Sequence, residues 1–108
     1  MTVKEIAQKL SLNTIVDANT DTCVSGCYIG DLLSLVMSKA QSGDAWITIQ
    51  GNVNVTAVAS LTGVAMVILA EGMAFDENAK VRAEEEGIAI YSSEKSALHL
   101  ACEIQKRL

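Results

Sequence analysis

The residues best suited to chemistry lie between Asp21 and Asp31, where carboxylate, hydroxyl and thiol side chains alternate with glycine. A polar loop containing Asp21 leads through Ser25-Gly26 into an apolar strand and ends at Gly30-Asp31, where a helix is predicted to begin. Glycine permits unusual backbone angles and a close approach by another group, and the short Asp31 side chain suits a helix N-cap. Because open α/β sheets bind ligands at strand-to-helix corners, we take this segment as a candidate ligand or interaction site.

The other reactive side chains do not form a catalytic or metal-binding motif. His99, the single histidine, precedes Cys102 by three residues on a predicted helix, but a zinc site needs about four donors. A Cys–His nucleophilic pair would also need a third group that orients the histidine. Cys27 lies next to Tyr28 in a predicted strand, and we interpret it as a small buried hydrophobe. The sequence therefore predicts no metal and no catalytic residue.

Nucleotide-binding motifs are also missing from the sequence. It contains no Gly-x-x-x-x-Gly-Lys-Ser/Thr loop. Gly26 and Gly30 lack the spacing and the third glycine of a dinucleotide fingerprint. We therefore predict neither nucleotide-dependent catalysis nor a cofactor.

Composition limits the remaining classes of protein. The 108 residues suffice for one domain with one core, and 50% of them are hydrophobic while only 4% are aromatic. The net charge of −5 argues against a nucleic-acid partner, since phosphate is bound mainly by Lys and Arg. No apolar run approaches the roughly 20 residues that span a membrane, and the first residues lack a signal-peptide pattern. Three cysteines without paired spacing favour the cytoplasm over a disulfide scaffold.

Hydrophobic periodicity predicts helices and strands that alternate. Thr2 and Glu5 have the spacing of a capping box, and the apolar pattern continues as a helix to Leu10. Short strands are predicted at residues 14–16 and 24–29. Three helix–glycine–strand units follow, with helices at 31–40, 52–61 and 76–86 and strands at 45–49, 64–69 and 88–91, and a last helix begins at Ser93 with Ala97, Ala101, Ile104 and Leu108 as its buried face.

This order predicts one α/β domain over residues 1–108. Alternating helices and strands are typical of βαβ units, so we expect a compact, three-layer-like fold with a mostly parallel sheet of about 4–5 strands and helices on its faces. Residues 53–61 alternate enough to suit a strand as well. We predict a helix there because the neighbouring strands need a crossover connection.

In a parallel sheet the carboxyl ends of the strands lie along one edge. The turns expected at that edge are Gly30-Asp31, Gln50-Gly51-Asn52, Glu71-Gly72 and Ser92-Ser93-Glu94. They could bind a small ligand, with Ser25-Gly26 and Gly51-Asn52 as its turns. Alternatively, Asp31, Asn52 and Ser93 serve only as helix caps. Because Asp31, Glu71 and Glu94 bring negative charge and no basic residue, we expect AMP and ATP to bind weakly or not at all.

The segment Asp21-Thr22-Cys23-Val24-Ser25-Gly26-Cys27-Tyr28 resembles the signature of the DRTGG domain family. The chain keeps the aspartate and the first glycine of that signature and has Ser25 at the position of its threonine. Thr22 replaces the arginine, and Cys27 replaces the second glycine. Further similar blocks are Gly30-Asp31-Leu32-Leu33-Ser34, Gly43-Asp44-Ala45-Trp46-Ile47-Thr48 and Val58-Ala59-Ser60-Leu61, so the resemblance covers nearly the whole chain.

The resemblance implies a fold like that of the N-terminal domain of HPr kinases, the first domain of Mur ligases and the middle domain of phosphotransacetylases. DRTGG domains accompany catalytic or sensor domains, and the role taken for them is regulatory or dimer-forming. The implied function is therefore a non-catalytic regulatory or protein-interaction domain, with a small-ligand sensor as the alternative.

The expected partner is a second copy of the chain, because half of the residues in so short a chain are hydrophobic. We expect a homodimer through the helix face around Leu32, Leu35 and Val36 or through the last helix. A partner enzyme or a kinase-type regulator is a further expectation. Neither a nucleic acid nor a membrane is expected as a partner.

Overall fold

The computed structural model describes all residues from 1 to 108 and contains five helices and five strands, which alternate from β2 onward. The helices are α1 (Val3–Lys9), α2 (Leu33–Lys39), α3 (Val53–Thr62), α4 (Glu77–Glu86) and α5 (Ala97–Gln105). The strands are β1 (Asn13–Val16), β2 (Gly26–Ile29), β3 (Asp44–Thr48), β4 (Met66–Leu69) and β5 (Ile90–Ser92). The predicted α/β class is confirmed.

The strands form one sheet in the order β1-β5-β4-β3-β2. β2, β3, β4 and β5 run parallel to one another, and β1 pairs antiparallel with β5. Each parallel pair needs a crossover connection, and α2, α3 and α4 provide the three crossovers. The mostly parallel sheet is therefore confirmed, and β1 and β2 form its two edges.

Helices cover both faces of the sheet and give the fold three layers. α1 and α5 bury Val3, Ile6, Leu100 and Ile104 against one face. α2, α3 and α4 cover the other face, where Trp46 is fully buried. The Trp46 indole Nε1–H donates a hydrogen bond of 2.9 Å to the Gly30 carbonyl, which satisfies the one polar atom of this large side chain.

Two predicted N-terminal caps are confirmed. The Glu5 amide donates to Thr2 Oγ1 at 3.2 Å, and the Thr2 amide donates to Glu5 Oε1 at 2.9 Å, which completes the capping box of α1. The Asn54 amide donates to Asn52 Oδ1 at 2.9 Å. Asn52 is thus the N-cap of α3, and the helical interpretation of this segment is confirmed.

The predicted glycine helix ends are correct for α3 and α4. Gly63 and Gly87 follow these helices with left-handed φ angles of 76° and 68°. Gly43, the glycine of the first predicted helix–glycine–strand unit, does not end a helix. α2 ends at Lys39 with Ala40 as its C-cap, and Gly43 lies in the turn before β3.

Two predicted helix starts are wrong. Asp31 does not cap α2, whose N-cap is Leu32 without a side-chain hydrogen bond, because the Asp31 carboxylate bonds to β3 instead. Ser93 does not begin the last helix. The N-cap of α5 is Ser96, whose Oγ accepts a hydrogen bond of 3.1 Å from the His99 amide.

The buried face of α5 also differs from the prediction. Leu100 and Ile104 are the buried residues of the helix, while Ala97 and Ala101 are partly buried against the same core. Leu108 lies beyond the helix end and is exposed, so the predicted stripe has the correct phase but extends too far and omits Leu100. None of the five helices is both long and apolar enough to cross a membrane.

Candidate functional site

The carboxyl edge of the sheet, defined here as the turns that follow β2, β3, β4 and β5, holds four of the seven predicted site residues. Asp31 is the centre of its hydrogen bonding. Its Oδ1 accepts bonds from Thr48 Oγ1 at 2.8 Å and from the Ile49 amide at 2.9 Å. Thr48 is almost fully buried. The Asp31 carboxylate therefore joins the end of β3 to the turn after β2.

Gln50 and Asn52 extend this network along the edge. The Gln50 amide donates to Thr48 Oγ1 at 3.2 Å, and its side chain donates to the Asp31 carbonyl at 3.4 Å. The Asn52 side chain donates to Gln50 Oε1 at 3.2 Å while its own oxygen caps α3. Most of the polar groups that a ligand would need are thus already bonded to one another.

Close packing of the backbone fills the middle of the carboxyl edge. A Cβ on Gly51 would collide with the Ala74 carbonyl oxygen and would lie 3.3 Å from Phe75 Cα. The Gly51 carbonyl accepts a 2.7 Å hydrogen bond from the Asp76 amide. Gly51 is therefore required by the loop packed against it, and no space for a ligand is left beside it.

The loop after β5 also contacts the turn after β4. The Glu71 amide donates to the Lys95 carbonyl at 2.9 Å, and the Gly72 amide donates to the Ser93 carbonyl at 2.9 Å. Two backbone hydrogen bonds therefore join the turn after β4 to the loop after β5.

Apolar side chains are exposed around this hydrogen-bonded edge. The exposed apolar residues are Ile29 at the end of β2, Leu32 after β2, Ile49 after β3 and Met73 after β4. Leu32 is 67% exposed. Neither of the two cavities in the structure includes a residue of the carboxyl edge. An edge with bonded polar groups and exposed apolar groups is better suited to contact with a protein than to a small ligand.

The other predicted site residues lie at the opposite end of β2. Gly26 begins β2 and pairs with Asp44, and a Cβ on Gly26 would collide with the Asp44 carboxylate. The Ser25 hydroxyl occupies the space beside Gly43 in the same way. These residues therefore fit the start of β2 against the start of β3.

The seven predicted site residues therefore fall into two groups and do not form one site. Asp21, Ser25 and Gly26 precede or begin β2 at the amino end of the parallel strands. The remaining residues follow the strands at the carboxyl end: Gly30, Asp31, Gly51 and Asn52. A sensor that combines Ser25-Gly26 with Gly51-Asn52 is inconsistent with this topology, because β2 and β3 run in parallel between the two turns.

The thiol and imidazole groups are dispersed. All three cysteines are free, and Cys23, Cys102 and His99 are exposed. Burial, together with the nearby Asp44 carboxylate, raises the pKa of the Cys27 thiol to about 11. This thiol is protonated at neutral pH and is a poor nucleophile. No group of three or more His, Cys, Asp or Glu side chains is placed to hold a metal ion.

Sequence reasoning missed both cavities. One, of about 450 Å³, lies between α1, β1 and the loop after β1, with Tyr91 among its lining residues. The other, of about 380 Å³, lies near the C-terminal ends of α3 and α4, where the Asn19 side chain donates to the Gly87 carbonyl at 3.0 Å. The second is formed by residues distant in sequence, whereas the first lies within residues 4–20 and takes only Tyr91 from elsewhere in the chain. Neither contains a recognised local motif.

No protein-family model and no curated protein matches this sequence. Among solved structures, the chain is similar to the CBS and DRTGG domains of the regulatory region of Clostridium perfringens pyrophosphatase, which was crystallised with its activator diadenosine tetraphosphate. The TM-score is 0.73 at 12% sequence identity, and the match covers 99% of this chain and 47% of that one. The present chain thus spans about half the length of its structural neighbour.

The fold and this similarity define the class of the chain as a three-layer α/β domain with a mostly parallel sheet. Within that class the fold is that of a DRTGG-like domain, as the sequence resemblance implied.

Proposed function

We propose that this chain is a non-catalytic regulatory domain that acts through protein contacts and forms a homodimer. The observation that carries the proposal is the carboxyl edge, where ligand sites of parallel sheets usually lie. Here its polar side chains bond to one another and exposed apolar side chains surround them. The structural neighbour is itself a regulatory region, which supports a regulatory role.

The proposed dimer surface consists of Ile29, Leu32, Leu35 and Ile49. Leu32 and Leu35 are joined through the backbone hydrogen bond that starts α2, and Ile49 is tied to the same corner through Asp31. Val36 was expected in this face, but it is fully buried beneath α2 and is excluded. The surface lies beside β2, an edge strand of the sheet.

A second copy of the chain is the proposed occupant of this surface. Two identical apolar patches related by a two-fold axis match each other without any further partner. The net charge of −5 opposes association of two copies. Salt should therefore strengthen the dimer, because it screens this repulsion and leaves the apolar contact intact.

In a longer regulatory protein, such a dimer would bring two copies of a partner enzyme or a kinase-type regulator together. We place the domain in the cytoplasm on the ground of its three free cysteines, which suit a reducing compartment.

The homodimer can be tested by light scattering on a size-exclusion column. We expect a mass about twice the monomer's 11.4 kDa at high micromolar concentration, and a larger dimer fraction as the salt concentration is raised. A monomer mass that persists at high micromolar concentration and in high salt would refute the homodimer.

A further inference from the structure

The cavity between α1 and β1, called the α1–β1 groove from here on, is distinct from the proposed dimer surface. One wall is α1, which contributes Lys4 and Gln8, and the other is β1 with the following loop, which contributes Thr14 and Asp17. Only three of its nine lining residues are hydrophobic. Its volume of about 450 Å³ is within the range of small-molecule sites.

Tyr91 provides the observation that distinguishes this groove from an ordinary surface depression. The residue lies on β5 opposite Thr14 and is only 2% exposed, with its ring packed into the core beneath α1. Its hydroxyl has no hydrogen-bond partner within the chain. Every fully buried polar side-chain atom of the chain does have a partner, so the Tyr91 hydroxyl must be accessible from the groove. A buried side chain thus presents an unused donor and acceptor to the groove.

Charge limits the kind of ligand that fits. Burial and, secondarily, the Asp17 carboxylate raise the pKa of Tyr91, which places the carboxylate near the neutral phenol. The Tyr91 hydroxyl and the Asp17 carboxylate make no hydrogen bond to each other, so both can accept a hydrogen bond from a cationic N–H donor. Lys4 on the facing wall is the groove's one cation. A groove with one cation and one carboxylate suits one ligand carboxylate and disfavours a chain of phosphates.

We propose that the α1–β1 groove binds a small zwitterionic metabolite of the α-amino acid class. The ligand's ammonium group bonds to Tyr91 Oη and the Asp17 carboxylate, and its carboxylate pairs with Lys4. The Gln8 amide and the Thr14 hydroxyl at the rim supply further hydrogen bonds. Binding here would make the domain responsive to a metabolite, and it does not require the homodimer.

The test uses the full chain and the twenty standard amino acids, with AMP as a comparison. Amide NMR spectra identify any amino acid that shifts the signals of Gln8, Thr14 and Thr20, and calorimetry then measures its Kd. We expect at least one amino acid to bind with a Kd below about 10 mM and AMP not to bind. No amino acid binding up to that concentration, or binding of AMP instead, would overturn the proposal.

Two variants with matched controls assign the site. Tyr91→Phe and Asp17→Asn should each weaken binding at least about tenfold, because each removes one partner of the ammonium group. Tyr28→Phe and Asp76→Asn make the same chemical changes outside the groove and should leave the Kd unchanged. Equal Kd values for all four variants would refute the proposed site. If the natural chain binds an amino acid in the groove but forms no dimer, only the homodimer proposed above is refuted.

Discussion

Replacing Gly51 by alanine should destabilise the domain by about 3 kcal/mol, because the added Cβ overlaps a backbone atom that cannot rotate away. The Ala74 carbonyl occupies the position of this Cβ. Asp76, on the same loop as Ala74, donates its amide to the Gly51 carbonyl. The loop between β4 and α4 must therefore move. Urea unfolding can be followed through the fluorescence of Trp46, the only tryptophan, which is fully buried.

Gly87→Ala is the matched control for this substitution. Gly87 has a left-handed φ of 68°, but a Cβ there would meet nothing within 4 Å. Its cost is then only that of the backbone conformation, about 1 kcal/mol. If the two variants unfolded at the same urea concentration, the packing of the carboxyl edge described here would be incorrect.

Lysine at both Leu32 and Leu35 should reduce the affinity of the homodimer by about 100-fold or more, since each charge would have to lose its water in an apolar contact. Leu32 is 67% and Leu35 is 45% exposed, so the monomer should tolerate both lysines without loss of stability. Light scattering of the variant over a concentration series should give the monomer mass under conditions where the natural chain is dimeric.

Leu61→Lys provides the control for added charge. Leu61 is 74% exposed near the C-terminal end of α3, at the opposite end of the sheet from the proposed dimer surface. We expect this variant to dimerise almost as well as the natural chain. Equal weakening by Leu61→Lys and by the Leu32 and Leu35 lysines would indicate a general charge effect and would contradict the assigned surface.

The fold could largely be predicted from sequence because its signals are local. The capping box of Thr2 and Glu5, the Asn52 cap and the glycines after α3 and α4 each act within one helical turn. The errors arose where a tertiary contact overrides the local preference. Asp31 has the side chain of a helix cap, but Thr48 and Ile49 on the neighbouring strand occupy its carboxylate.

The candidate sites were less predictable than the fold. The glycines and the aspartates were correctly recognised as unusual, yet most of them fit one backbone segment against another, as Gly26 does against Asp44 and Gly51 against Ala74. The α1–β1 groove depends on Tyr91, which ends a predicted apolar strand, and the sequence gives no sign that its hydroxyl is unpaired. Such a site becomes visible only when β5 is placed beneath α1.

Hydrogen–deuterium exchange at two protein concentrations tests most directly whether the carboxyl edge beside β2 is a protein-contact surface. Between about 1 μM and about 500 μM, exchange should slow for amides in residues 29–36 and 47–50, because association protects the contact surface from opening and from solvent. Residues 53–62 and 77–86 should exchange at the same rate at both concentrations. Exchange that does not depend on concentration anywhere, or protection confined to residues 97–105 of α5, would contradict the proposed surface.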